Sequence, residues 1–268
     1  MHLYPGKNTN AKKAKNNNHP HYNMKKNFTI LSAILITLFS LNAKAQDDKP
    51  QAKSYMSFFG GISHPLSTYG STNYFDNNAG FAKNGPAFGF DFGIYLYKNL
   101  ALGITFSYQD QGELSSTDAL SLSNNYLASF DKDEANVTTN GRFQTVNFMI
   151  GPQYSFLYKK FTLDLRASAG FIKSISTPTL GVIFDNSANS DTYLNQLNST
   201  ATAIGYSGSL GLRYSLSDSW DVGIKFNYIN SDGIKIENSG PTYTGVGRYQ
   251  TKMPITELQS TLGITLKF

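Results

Sequence analysis

Eleven consecutive residues, Leu258 to Phe268, alternate between two faces without a break. Leu258, Ser260, Leu262, Ile264, Leu266 and Phe268 share one face, and Gln259, Thr261, Gly263, Thr265 and Lys267 share the other. A period of two is what a β-strand with one apolar and one polar side produces. A water-soluble domain gains little from finishing such a strand on an exposed Phe. A membrane β-barrel does gain, because its last strand closes against its first and its terminal aromatic anchors at the lipid–water boundary.

The same alternation recurs seven times upstream. Met56, Phe58 and Ile62 mark a first, weaker strand loosened by Gly60-Gly61. Phe88 to Leu96 and Leu102 to Tyr108 form a clean pair around the turn Lys98-Asn99. Val146 to Phe156 and Phe161 to Phe171 flank Tyr158-Lys159-Lys160, with Pro152 expected to mark a bulge or interruption. Ile204 to Tyr214 and Trp220 to Tyr228 flank Ser217-Asp218-Ser219. Connections alternate long and short, the long ones falling at about 64–84, 110–141, 173–200 and 230–254. That rhythm predicts an all-β fold: an eight-stranded antiparallel up-and-down transmembrane β-barrel with long external loops and short periplasmic turns.

A soluble barrel with an apolar cavity would alternate too. The non-apolar face here is mostly Gly, Ser, Thr and Ala, too small and uncharged for a water-facing exterior but suited to a narrow bore. The apolar face is therefore assigned to lipid. Its aromatics gather at strand ends. Tyr154, Tyr214, Trp220 and Phe268 fall at the short-turn end, and Tyr108, Phe171 and Tyr228 near the loops, as in interfacial girdles.

The front of the chain explains its charge. Residues 1–45 hold seven Lys and no acid, which leaves 16 basic and 18 acidic groups in 46–268. The basic balance is thus no argument for nucleic acid. Met24-Lys25-Lys26, the apolar run to Leu41 and Ala43-Lys44-Ala45 read as a signal peptide over 24–45, cleaved near Ala45. Residues 1–23 read as an upstream extension before the true start, 46–53 as a periplasmic leader and 54–268 as the barrel. The chain has no cysteine, so an exported domain must be held by its topology.

The stretch Gly85–Tyr108 and the closing strand resemble the small bacterial outer-membrane β-barrel family, which includes OmpX- and OmpA-type barrels and PorT-like proteins. The resemblance implies an outer-membrane location and lipid as surroundings. It also implies an assembly signal at Leu262, Ile264, Leu266 and Phe268, read by the outer-membrane assembly machinery.

Charges on the lumen-facing parity are Asp91, Asp164, Arg166, Arg213, Asp221, Lys225 and Lys267. Arg213 and Asp221, equidistant from residue 217, are expected to sit opposite each other. The mid-strand charges are expected to fill the bore as a paired network, since charges away from water persist only when paired. The expected role is non-catalytic, structural or surface-interacting through the loops, whose ligand the sequence does not name. The alternatives are a small pore gated by those charges and, more remotely, a lipid-modifying enzyme built on His64 with Ser63 or Ser67. No metal-ligand cluster or cofactor fingerprint appears in the sequence, so no cofactor is expected.

Overall fold

The computed structural model describes residues 52–73, 79–130, 134–185, 192–239 and 252–268. The expected upstream extension, signal peptide and most of the leader lie outside them. In chain order the elements are β1 (Tyr55–Pro65), α1 (Ser67–Gly70), β2 (Gly85–Tyr97), β3 (Leu100–Glu113), α2 (Ser116–Phe130), β4 (Glu134–Asn140), β5 (Arg142–Tyr158) and β6 (Phe161–Ser176). They continue with β7 (Thr179–Asp185), β8 (Thr192–Gln196), β9 (Thr202–Ser215), β10 (Trp220–Ser231), β11 (Ile234–Lys235), β12 (Asn238–Ser239), β13 (Lys252–Met253) and β14 (Thr256–Lys267).

Eight of these strands close into an antiparallel barrel in the order β1-β14-β10-β9-β6-β5-β3-β2. The seam is the pairing of first and last strands, from Tyr55 opposite Lys267 to Pro65 opposite Glu257. Closure leaves no strand edge within the barrel, which is why a sheet is tolerated in lipid at all. The apolar parity points outward: Phe171, Ile204 and Leu262 are 57%, 68% and 68% exposed. An outer belt this apolar has lipid as its matching solvent.

Two short turns are two residues long, with Tyr97 opposite Leu100 and Tyr158 opposite Phe161. Lys98 and Lys159 open them at φ of 42° and 55°, the left-handed conformation that two-residue hairpins demand. Pro152 makes no bulge. Ile150 opposite Ala169 and Gln153 opposite Arg166 keep one register across it. The interruption is present: Gly151 and Pro152 have no partner on β6, and no residue is added to the strand.

The long connections are not plain loops, contrary to their Ser/Asn-rich composition. β5 and β6 run 17 and 16 residues, beyond the roughly 9–11 that cross a bilayer. Past them, β12-β8-β7-β4 form a separate four-stranded sheet, against which α2 packs. This outer unit has its own core of Ala79, Phe81, Leu114, Ala119, Leu122, Val137, Leu180 and Val182. A second apolar cluster, including Tyr69, Phe143, Met149, Ile172, Ile229 and Ile255, draws on inward-facing barrel positions and on α1. The inner face is therefore not polar along its whole length.

Candidate functional site

The inward parity of the strands sets what fills the bore. Arg166 on β6 places Nη1 2.7 Å from Asp91 Oδ1 and Nη2 3.0 Å from Asp91 Oδ2. This two-pronged contact matches guanidinium to carboxylate geometry. Lys225 on β10 reaches the same carboxylate at 2.7 Å, and the Thr105 hydroxyl donates to it at 2.5 Å. The aspartate thus faces two cations. Arg166 also donates from Nε to Gln153 Oε1 at 3.0 Å, and Gln153 Nε2 donates to Asp164 Oδ1 at 3.2 Å.

Asp164 accepts from Arg213 Nε at 2.7 Å and from the Ser155 hydroxyl at 2.5 Å. Arg213 continues to Asp221 at 3.2 Å, and Lys267 meets Asp221 at 2.5 Å. The Arg213 guanidinium lies 4.0 Å from the Tyr55 ring centre, a cation–π contact. The structure therefore brings all seven lumen charges into one connected network across β2, β6, β9, β10 and β14.

The expected opposition of Arg213 and Asp221 is corrected. Ser215 stands opposite Asp221, and Arg213 stands opposite Gly223. The connection centres on residue 218 instead of 217, and the long arginine reaches its partner diagonally. Small inner residues make this packing fit. A Cβ at Gly103 would come within 2.1 Å of Arg166 Nε, so the guanidinium occupies the space a side chain would take. The cavity left between Tyr55, Phe59, Arg166, Arg213 and Lys225 is about 40 Å³, room for a few waters at most.

A second polar centre goes beyond what the sequence leads one to expect. Glu257, fully buried, lies on β14 one step of the parity before Gln259. Its Oε2 accepts from the Ser63 hydroxyl at 2.9 Å and from Gln111 Nε2 at 2.9 Å. Its Oε1 accepts from Gln109, Asn147 and Gln259 at 3.0, 3.1 and 3.1 Å. All five donors are neutral. Tyr69 on α1 donates to Gln111 Oε1 at 2.6 Å, tying the cluster to the apolar layer beside it. A signal is present, since 257, 259 and 261 share the inward parity. Pro254 reads as the end of a loop, however, and clean alternation starts only at 258.

This cluster also settles where Ser63 points. Ser63 and His64 are successive residues on opposite faces of β1, and the serine hydroxyl is spent inside on Glu257. His64 is half-buried on the other face.

The aromatics singled out as a girdle all face outward. Tyr214, Trp220, Tyr228, Phe171 and Phe268 are exposed, and Tyr108 and Tyr154 half-buried. Tyr108 rests on Phe88 with ring centres 5.0 Å apart, and Tyr154 on Phe156 at 4.9 Å. Leu262, Ile264 and Leu266 project from the same face of β14, and Phe268, the residue after the strand, is exposed.

Outside the barrel, α2 and β4 flank an open groove of about 1000 Å³ lined by Leu114, Ala119, Leu120, Ser123, Leu127 and Val137. The helix starts on a reciprocal cap. Ser115 Oγ accepts from the Asp118 amide at 3.3 Å, and Asp118 Oδ2 accepts from the Ser115 amide at 2.9 Å. This is the capping-box arrangement that satisfies two otherwise orphaned donors. Lys83 adds an ion pair to Asp118 at 2.9 Å. Partial burial pushes the Asp118 carboxyl up, but the bonds from Ser115 and Lys83 outweigh it and hold the group down to about 2. A folded-state value below the unfolded one of about 3.9 stabilises above that pH and is lost as pH falls towards 2. A carboxyl NMR titration is expected to place the Asp118 midpoint near 2. A midpoint near 4 would show the cap to be absent.

Residues 31–247 match the outer membrane protein β-barrel domain family. The chain belongs to that family. This outer-membrane barrel resembles several solved ones at low identity. Neisserial surface protein A is 13% identical, covering 82% of this chain and 100% of its own at a TM-score of 0.41. Ail of Yersinia pestis, solved with the heparin analogue sucrose octasulfate, is 10% identical over 81% and 100%, at 0.37. The N-terminal barrel of Pseudomonas aeruginosa OprF is 13% identical over 82% and 100%, at 0.33. No curated protein matches the sequence. With the family known, the long-loop end of the barrel is the cell exterior and the short-turn end the periplasm.

Proposed function

We propose that this outer-membrane barrel is a non-catalytic, non-conducting anchor whose function is carried by the outer unit of α2 and its sheet. The supporting observation is a contrast of spaces. The cavity among the interlocked charges holds about 40 Å³, while the exterior carries an open groove of about 1000 Å³. A lumen committed to paired charges fixes the barrel, and a loop region with its own core presents a shaped surface. Partner and ligand are unassigned. Export through cleavage near Ala45, and recognition of Leu262, Ile264, Leu266 and Phe268 by the assembly machinery, belong to the same proposal.

The pore reading requires Arg166 and Lys225 to leave Asp91 together, because both close on one carboxylate. The enzyme reading loses Ser63, whose hydroxyl is committed to Glu257. The test is conductance in a planar bilayer. The reconstituted barrel is expected to give no steady current between about −100 and +100 mV, a field worth about 2.3 kcal/mol per charge at either limit. Salt-dependent steps from the pure protein would favour the pore.

A further inference from the structure

The short-turn end carries a feature that neither the plugged lumen nor the outer cleft uses. Lys98, Lys159 and Lys160 are all exposed there. They sit on the β2–β3 and β5–β6 turns, which are neighbours because β3 pairs with β5. Each ammonium lies beside an outward tyrosine: Lys98 is 5.6 Å from the Tyr97 ring centre, Lys159 5.5 Å from Tyr158 and Lys160 5.9 Å from Tyr214. Elsewhere Lys83, Lys225, Lys235, Lys252 and Lys267 each stand in an ion pair, Lys53 donates to the Asp218 carbonyl at 3.3 Å, and Lys173 is exposed on β6 towards the loop end. Lys159 and Lys160 stand in none among the described residues.

Backbone conformation makes the placement more pointed. Lys98 and Lys159 hold φ of 42° and 55°, a conformation Gly or Asn adopts at lower cost. A lysine there is conformationally disfavoured, yet two turns use one. The flanking tyrosines, with Tyr97 and Tyr158 60% and 69% exposed, place these ammonium groups at headgroup depth, where amphipathic rings collect. Among the described residues of this end, the exposed acid is Asp218, in the β9–β10 turn.

We infer that the Lys98–Lys159–Lys160 arc is a binding surface for anionic phospholipid headgroups in the periplasmic leaflet. Charge complementarity selects the occupant: ammonium groups converge on the level of lipid phosphates, and aromatic rings pack against the adjoining glycerol and upper acyl region. The arc would hold one side of the barrel in an anionic lipid annulus.

The single tryptophan of the chain, Trp220, starts β10 at this same end. It lies two strands from β6, about 10 Å away at the usual strand spacing. Folded full-length barrel is reconstituted in phosphatidylcholine vesicles in which either phosphatidylglycerol or phosphatidylcholine, at equal mole fraction, carries brominated chains. Quenching of Trp220 then reports which lipid sits beside it. Phosphatidylglycerol is expected to be preferred by about fivefold per engaged lysine, the preference shrinking in 1 M salt. Lys159→Gln with Lys160→Gln should bring the ratio close to one, and Lys235→Gln with Lys252→Gln at the far end should leave it unchanged. Each variant is first required to keep the heat-dependent gel shift of a folded barrel. Equal quenching by both lipids in the wild type would overturn the inference. So would a preference that survives in the Lys159/Lys160 variant, or one that millimolar inorganic phosphate abolishes.

Discussion

Exchanging Asp91 for asparagine is expected to lower the unfolding free energy of the barrel by about 3–5 kcal/mol, the usual loss when one partner of a buried ion pair is removed. The side chain keeps its volume, so the effect is electrostatic. Arg166 and Lys225 would face a neutral amide, and each is largely shielded from water, with side chains 3% and 17% exposed. Two cations then repel across a narrow bore with no carboxylate between them. Adding Lys225→Met to Asp91→Asn should restore part of the loss, because one of the two orphaned charges goes with it. Denaturant unfolding followed by Trp220 fluorescence measures both variants, with Asp218→Asn in the exposed turn as the neutral reference. A loss below about 1 kcal/mol, the range of a surface pair, would mean that water reaches the pair freely.

The second large effect is expected at Glu257. Replacement by leucine would remove the acceptor shared by Ser63, Gln109, Gln111, Asn147 and Gln259, although Gln109, Gln111 and Gln259 each keep a second one, on Thr145, Ser63 and Ser107. Each unsatisfied buried group costs about 1–3 kcal/mol, and partial rearrangement among the amides keeps the sum below simple addition. Glu257→Leu should therefore cost about 4 kcal/mol, and Glu257→Gln, which still accepts at one oxygen, clearly less. The difference between the two variants in the same unfolding assay is the informative quantity. Equal stability of the two would mean that the amide ring finds partners without the carboxylate.

Most of the barrel is legible in the sequence because its strands are half in lipid and half in a narrow bore, an environment that writes a period of two directly into residue choice. Where the environment changes, the pattern fades. Phe143, Ile172, Ile229 and Ile255 are inward yet apolar, so alternation weakens at the outer end and the strands read shorter than they are. Glu257 falls in that faded stretch. The outer sheet is harder to read. In β7, Leu180 and Val182 alternate, but the run is brief and follows Pro178, and one of its two partners, β4, lies far upstream with β5 and β6 between them. For α2, Ser115-x-x-Asp118 ahead of Ala119 and Leu122 is a readable helix start, hidden by scattered Ser and Asn that look like solvated loop. Side-chain reach is a different limit. Parity puts Arg213 and Asp221 on the same face, but only a fixed turn centre decides whether two residues are opposite or diagonal.

The central claim, an apolar face to lipid around a filled lumen, meets its most direct test in thiol labelling, because the chain has no native cysteine. Gly211 borders the internal cavity, and a Cβ placed there would find its nearest neighbouring atom 3.7 Å away, so the Cβ of Gly211→Cys is accommodated and its thiol faces the cavity side. Leu212→Cys, the next residue, faces outward. In the folded, membrane-inserted barrel, Gly211→Cys is predicted to resist a charged, water-soluble thiol reagent and to react only after unfolding, while Leu212→Cys reacts with a lipid-soluble maleimide. Rapid reaction of Gly211→Cys with the charged reagent in the folded barrel would contradict the filled lumen.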